Sequence, residues 1–181
     1  MMKYLTSFFV LLSPLVLVAQ LAIPAELQWR LDTMQADIFR PLDSDFRPVK
    51  VDGEDYVPAQ FAMYSKREKL EIRYYARPKK ELGFFAQMPH LDASRVVMNA
   101  ASNDEDAVTT GHSFGTEDRK TFGADWAKLF TFPPKRGFSD TQYAQMVAIY
   151  RENQGMIYIF LLFNDAPDTL DARQIAARFL Q

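Results

Sequence analysis

The run Met156-Ile157-Tyr158-Ile159-Phe160-Leu161-Leu162-Phe163 offers water no polar face, and this constrains the fold more than any other stretch. Successive side chains of a strand point to opposite faces, so both faces of this one are apolar. It is also too short to cross a bilayer, which takes roughly 20 residues as a helix. The run is therefore expected to be a central strand, covered by protein on both sides. Residues 142–150 form a second strand-like run just before it, joined by the turn Arg151-Glu152-Asn153-Gln154-Gly155. Together they predict a long antiparallel hairpin. Asn164-Asp165-Ala166-Pro167 breaks the strand. From Asp168 the pattern becomes helical: Asp168 is placed to cap, Asp171 lies at N3, and Ala172, Ile175, Ala176, Phe179 and Leu180 form a stripe. This final helix is expected to run to the chain end and cover one side of the hairpin.

The 181 residues, 48% of them hydrophobic, suit a single domain that needs no metal or disulfide to hold it. There is no cysteine, which excludes disulfides, zinc thiolate sites, iron–sulfur ligation and thiol nucleophiles. A formal charge of −2 argues against general nucleic-acid binding, which needs a basic excess. Met1-Met2-Lys3 followed by an apolar stretch from Leu5 to Val18 has the layout of a secretory signal peptide. Cleavage after Ala19 is the preferred reading and after Ala22 the alternative; an uncleaved anchor remains the competing one. The domain then occupies residues 20–181, secreted or periplasmic, with no membrane span once the signal is removed.

Earlier in the chain, Met34 to Phe39 predicts a first strand, ended by Arg40-Pro41, and a turn-rich stretch follows. Val57, Ala59, Phe61 and Met63 alternate with Pro58, Gln60, Ala62 and Tyr64. After the turn Lys66-Arg67-Glu68, Leu70, Ile72 and Tyr74 alternate with Lys69, Glu71, Arg73 and Tyr75. Two period-two runs around a polar turn predict a second hairpin, one face buried and one wet. Ala93, Val97, Ala100 and Ala101 give a helical stripe with Asp92 as its N-cap, stopping before Asn103. Val108 to Phe114 and Trp126 to Phe132 are further strand candidates. The expected fold class is α+β, an antiparallel sheet with helices packed on it.

This order of hairpin, helix, strand, long hairpin and terminal helix resembles the PsbP-like family. The resemblance rests on Gly123-Ala124-Asp125-Trp126-Ala127, Tyr143 to Tyr150, Gly155 to Phe163 and Ala176-Ala177-Arg178-Phe179-Leu180. It covers about residues 55–181; the opening Phe39-Arg40-Pro41-Leu42-Asp43 lacks the Trp such proteins carry near the first strand end. The resemblance implies an αβα sandwich and a non-enzymatic protein that acts by docking on partners. It assigns no individual residue a role.

Several residues invite a chemical reading. His112-Ser113, with Asp104, Asp106 or Asp118, suggests a hydrolase, but Gly111-His112-Ser113-Phe114-Gly115 is not a nucleophile elbow, and strand neighbours face opposite ways. His90 and His112 with Asp104, Glu105 and Asp106 lack metal-ligand spacing. The aromatics Trp126, Phe130, Phe132, Phe138, Tyr143, Tyr150, Tyr158, Phe160 and Phe163 fit a packed core or the lining of an apolar ligand cavity. Lys69, Arg73, Tyr75, Arg77, Lys79 and Lys80 are the preferred partner-binding residues, read as an exposed basic strand face that docks an acidic protein or an anionic envelope component. The expected function is thus a non-catalytic, monomeric interaction protein without cofactor. A carrier of a small apolar ligand ranks second and a serine hydrolase third.

Overall fold

The computed structural model describes residues 22–39, 45–52 and 55–180. The expected export signal and the Arg40-Pro41 break lie outside the described residues. Among the described residues the chain forms nine strands: β1 (Ala36–Ile38), β2 (Arg47–Val49), β3 (Phe61–Ser65), β4 (Leu70–Pro78), β5 (Thr110–Ser113), β6 (Trp126–Phe132), β7 (Tyr143–Arg151), β8 (Gly155–Phe163) and β9 (Ala177–Phe179). Five helices join them: α1 (Ala25–Thr33), α2 (Lys79–Leu82), α3 (Pro89–Ala100), α4 (Thr116–Phe122) and α5 (Leu170–Gln174). A 3₁₀ turn, Gly83–Gln87, separates α2 from α3.

Seven strands make one antiparallel sheet in the order β2-β3-β4-β8-β7-β6-β5, so the apolar strand β8 sits in the middle. Every residue of β8 is buried. Its odd-numbered side chains, Ile157, Ile159, Leu161 and Phe163, pack with Leu27 and Leu31 of α1, Phe122 of α4 and Phe179 of β9. The even-numbered ones, Met156, Tyr158, Phe160 and Leu162, pack with Ala93, Val96, Val97 and Ala100 of α3 and with Phe138. The sheet therefore lies between two covering layers. Each such apolar side chain contributes roughly 1.5–3 kcal/mol on burial. Both expected hairpins are present, β3–β4 around residues 66–69 and β7–β8 around residues 152–154.

Three expectations are corrected. The terminal helix is short: α5 ends at Gln174, and β9 pairs antiparallel with β1, Ala36 opposite Phe179 and Ile38 opposite Ala177. Ala177 and Phe179 are buried and Arg178 exposed, a period of two that a helical stripe mimics over so few residues. Ile175 and Leu180, assigned to that stripe, are exposed, and Asp168 makes no cap; Thr169 stands at the N-cap and its hydroxyl bonds Glu68. Asp92 is not an N-cap either. α3 begins with Pro89 at its first turn, where the missing N–H costs nothing, and Asp92 lies inside the helix with its side chain turned inward. β3, finally, starts later than the alternation from Val57 predicts, because the chain turns tightly around Pro58, Ala59 N–H donating to Val57 O at 2.8 Å.

The β7–β8 turn is fitted against the end of β4. Gly155 has φ +139°, and a Cβ there would lie 2.2 Å from the Arg77 carbonyl oxygen. Gly155→Ala is expected to cost upward of about 3 kcal/mol. Gly83→Ala, at φ +55° but with open space around it, is expected to cost about 1 kcal/mol. Urea denaturation of the two variants checks the contrast; equal losses would contradict the register described for this corner.

Candidate functional site

The structure splits the predicted basic stretch in two. β4 pairs with β8 so that Arg73 faces Phe160, Tyr75 faces Tyr158 and Arg77 faces Met156. These odd positions of β4 belong to the face covered by α3, not to a wet one. Arg73 is 3% exposed and Arg77 9% exposed, which corrects the expectation of an exposed basic strand. Alternation located the face correctly; it cannot reveal that a second layer covers it. Lys69, in the β3–β4 turn, and Lys79 and Lys80, in α2, are exposed.

Each buried arginine is matched from within. Arg73 donates to Glu71 Oε1 (2.5 Å) and to the carbonyls of Asp52 (2.6 Å) and Phe138 (2.8 Å), its guanidinium 5.0 Å from the Phe138 ring centre. Arg77 donates to Asp92 Oδ2 and to the Glu81 carbonyl (2.8 Å). Asp92 is 0% exposed, and three side chains converge on its carboxylate. Tyr158 Oη joins Arg77 on Oδ2, while Arg95 Nη2 reaches Oδ1 at 2.8 Å. Tyr75 stacks on Tyr158, ring centres 5.5 Å apart.

The electrostatics follow from this geometry. Burial works to raise the Asp92 carboxyl, but the hydrogen bonds from Tyr158, Arg95 and Arg77 outweigh it and hold the group below its ordinary range. Burial, with the Asp92 charge beside it, pushes the Tyr158 phenol up. Burial also pushes the Tyr75 phenol up. The carboxylate stays ionised and the two phenols stay neutral. What the arrangement does is clamp α3 onto β4 and β8. Neither residue of the clamp's core pair was flagged by sequence as its partner, since Asp92 reads as a helix cap and Arg77 as surface. An acid at a position that helical phase turns toward an arginine-bearing strand was the available signal.

The two exposed lysines of α2 lie at a corner of the molecule. α1, α2, the 3₁₀ turn and the β7–β8 turn meet around an open cleft of about 520 Å³ that includes Thr33, Lys79, Lys80, Gly83 and Gln154. Lys80 Nζ lies 4.5 Å from the Trp29 ring centre, and Lys79 Nζ donates to Asn153 Oδ1 at 2.5 Å. Trp29 is 47% exposed and Phe84, just beyond Gly83, is 76% exposed. Arg30 binds both Glu26 (3.0 Å) and Glu81 (2.5 Å). Among the described residues no carboxylate pairs with Lys79 or Lys80.

The other candidates are placed as follows. His112 and Ser113 are exposed on β5, the sheet's edge strand, opposite Leu129 and Lys128. His90 is exposed at the start of α3, and no group of acids and histidines among the described residues is disposed to hold a metal ion. Of the aromatic series, Phe130, Phe132, Phe138, Tyr158 and Phe160 are packed in the core, whereas Tyr143 is exposed. A polar groove of about 790 Å³ runs beneath the 133–142 loop, between Tyr56 and Arg136. No helix among the described residues is long and apolar enough to cross a membrane. Comparison with known protein families, with curated proteins and with solved structures finds no match.

Removing the Asp92 charge leaves Arg77 buried and uncompensated, so Asp92→Asn is expected to lose about 3–5 kcal/mol. Tyr158→Phe, which deletes one donor, is expected to lose about 1–2 kcal/mol. The pH dependence has a definite sign. The unfolded carboxyl takes up a proton around its ordinary value of 3.8, while the folded one holds off to lower pH. Its stabilisation is therefore full above that value and lost as pH falls through the depressed folded one. Urea titrations below pH 5 should show a shallower acid loss for Asp92→Asn than for the parent; parallel curves would contradict the clamp.

Proposed function

We propose that the chain is an exported, non-catalytic interaction protein of the cell envelope, secreted or periplasmic and monomeric, which docks through the corner formed by Trp29, Lys79, Lys80 and Phe84. The observation that carries this reading is the pairing of two exposed large aromatics with two lysines that have no carboxylate partner among the described residues. Exposed aromatic side chains beside exposed cations suit a partner that is anionic and partly apolar. Arg73 and Arg77 leave the candidate surface because they are internal counter-charges, and Lys69 sits in the β3–β4 turn, away from α2. The PsbP-like resemblance, with its implication of docking, points the same way. A carrier role finds less support, since most of the aromatics offered as a lining pack against one another.

Expressed with its N-terminal segment in an exporting host, the protein is expected outside the cytoplasm with residues 1–19 removed, as intact mass would show. Lys79→Glu/Lys80→Glu is expected to reduce retention on the envelope fraction by about tenfold or more. Its melting temperature should be unchanged, because both side chains are exposed. Lys69→Glu serves as the control and should retain parental binding. Equal retention of all three proteins would remove the corner from this reading; an intact N-terminus inside the cell would remove export.

A further inference from the structure

We infer that the polar groove beside the 133–142 loop is a separate binding site, and that it takes a neutral oligosaccharide segment. Its walls come from three places in the chain: Tyr56, the stretch from Ser102 to Asp104 after α3, and the loop itself. Contacts put these walls on one surface. Lys135 Nζ donates to the carbonyls of Met98 (2.9 Å) and Asn99 (3.0 Å) near the end of α3, and lies 5.9 Å from the Tyr56 ring centre. The Tyr56 hydroxyl comes so near Gly137 that a Cβ there would lie 2.5 Å from it. Ser102 N–H donates to the Pro133 carbonyl at 2.8 Å, and Ala101 bridges Pro134. The loop is held without a ligand. Phe138, 1% exposed, packs edge-on against Phe160, and its carbonyl accepts from Arg73. Gln142 N–H, at the far end, donates to Asn164 Oδ1 at 2.8 Å. Such a fixed wall spares a ligand the entropy of ordering it.

The lining selects by hydrogen bonding and not by charge. Lys135 and Arg136 are balanced by Asp104 and Asp140, so the four formal charges cancel and favour an uncharged ligand. Asn103, Arg136, Asp140 and Gln142 are exposed, and their side chains make no hydrogen bond or ion pair among the described residues. All four end in planar groups with paired donors or acceptors, the shape that grips neighbouring hydroxyls two at a time. Tyr56, 37% exposed, adds a ring against which the C–H face of a pyranose can lie. The volume of about 790 Å³ is in the range of small-ligand sites, and a further cleft of about 400 Å³ shares Arg136, Ser139, Asp140 and Thr141 with it. An extended peptide is less well served. Peptides anchor on a free sheet edge or in apolar pockets, and beyond Tyr56 the groove's apolar lining is Pro133 and Pro134.

Saturation-transfer NMR and calorimetric titration of the protein purified from the exporting host test this, with maltohexaose, cellohexaose and chitohexaose as probes. At least one of these sugars is expected to bind, with an affinity that changes less than about twofold between low and high salt, because the ligand carries no charge. Tyr56→Ala should weaken binding by about tenfold and Arg136→Ala by about fivefold. The melting temperature should change little in either variant, since both side chains are exposed. Gly137→Ala should also weaken binding, because the added methyl displaces the end of the Tyr56 side chain. Lys79→Glu/Lys80→Glu should leave sugar binding unchanged, so this site and the docking corner can fail independently. No response to any of the three sugars would overturn the inference. So would binding that Tyr56→Ala and Arg136→Ala both leave intact, or binding lost in the corner variant. Response to a casein peptide digest in place of the sugars would overturn it too and assign the groove to peptides.

Discussion

Strand β8 has no wet face, and the rest of the molecule is arranged around that constraint. A strand apolar at every position must lie in the interior of a sheet and must be covered twice. The chain meets the first demand by placing β4 and β7 on either side of it, each along nearly its whole length. It meets the second by dividing the helices between the two faces. α3 and the Phe138 loop cover one side; α1, α4 and the β1–β9 pair cover the other. The short β1–β9 pair brings residues near both ends of the described chain together, so that the second layer is tied to itself as well as to the sheet.

Double cover has an electrostatic consequence. β4 inherits its position from β8, and so its odd side chains lie under α3 whatever their polarity. Two of them are arginines. A guanidinium cannot be left without a counter-charge in that environment, and the structure supplies one to each: Glu71 to Arg73 and Asp92 to Arg77. Asp92 is further loaded by Arg95 and Tyr158, which fixes the helix in height and rotation above the sheet. The other face uses a similar device at its margin. Glu68, in the β3–β4 turn, receives Arg173 of α5, whose hydrogen bonds hold the carboxyl below its ordinary range. Charged residues here act as fasteners between layers, and the surface left for partners is correspondingly small.

The elements that were legible in the sequence are those whose periodicity is decided locally. The run 156–163, the turn at Gly155, the alternation through Leu70, Ile72 and Tyr74, and the stripe Ala93, Val97 and Ala100 all appear as expected, whereas Ala101 lies just past the helix in extended backbone. The elements misread are those decided by a distant partner. Ala177 and Phe179 form a strand because β1 offers an unpaired edge, and no local pattern at the C-terminus records that edge. Arg73 and Arg77 were assigned to solvent because alternation separates the faces of a strand without telling which are covered. The same limit applied to Asp92, whose partner lies 15 residues away on another element. Lys79 and Lys80 survive as surface residues, but Trp29 and Phe84 beside them became visible only once α1 and α2 were placed together.

The layering of the protein decides which basic groups are internal and which are exposed. Residue-resolved chemical modification of the native protein addresses this directly, with an arginine-directed and an amine-directed reagent read by peptide mass. Lys79, Lys80 and the exposed Arg67 should react at the rate of unstructured peptides, whereas Arg73 and Arg77 should stay protected until the protein unfolds. Modification of Arg73 and Arg77 at the rate of Arg67 in the folded protein would contradict the buried clamp and return the β4 face to the surface.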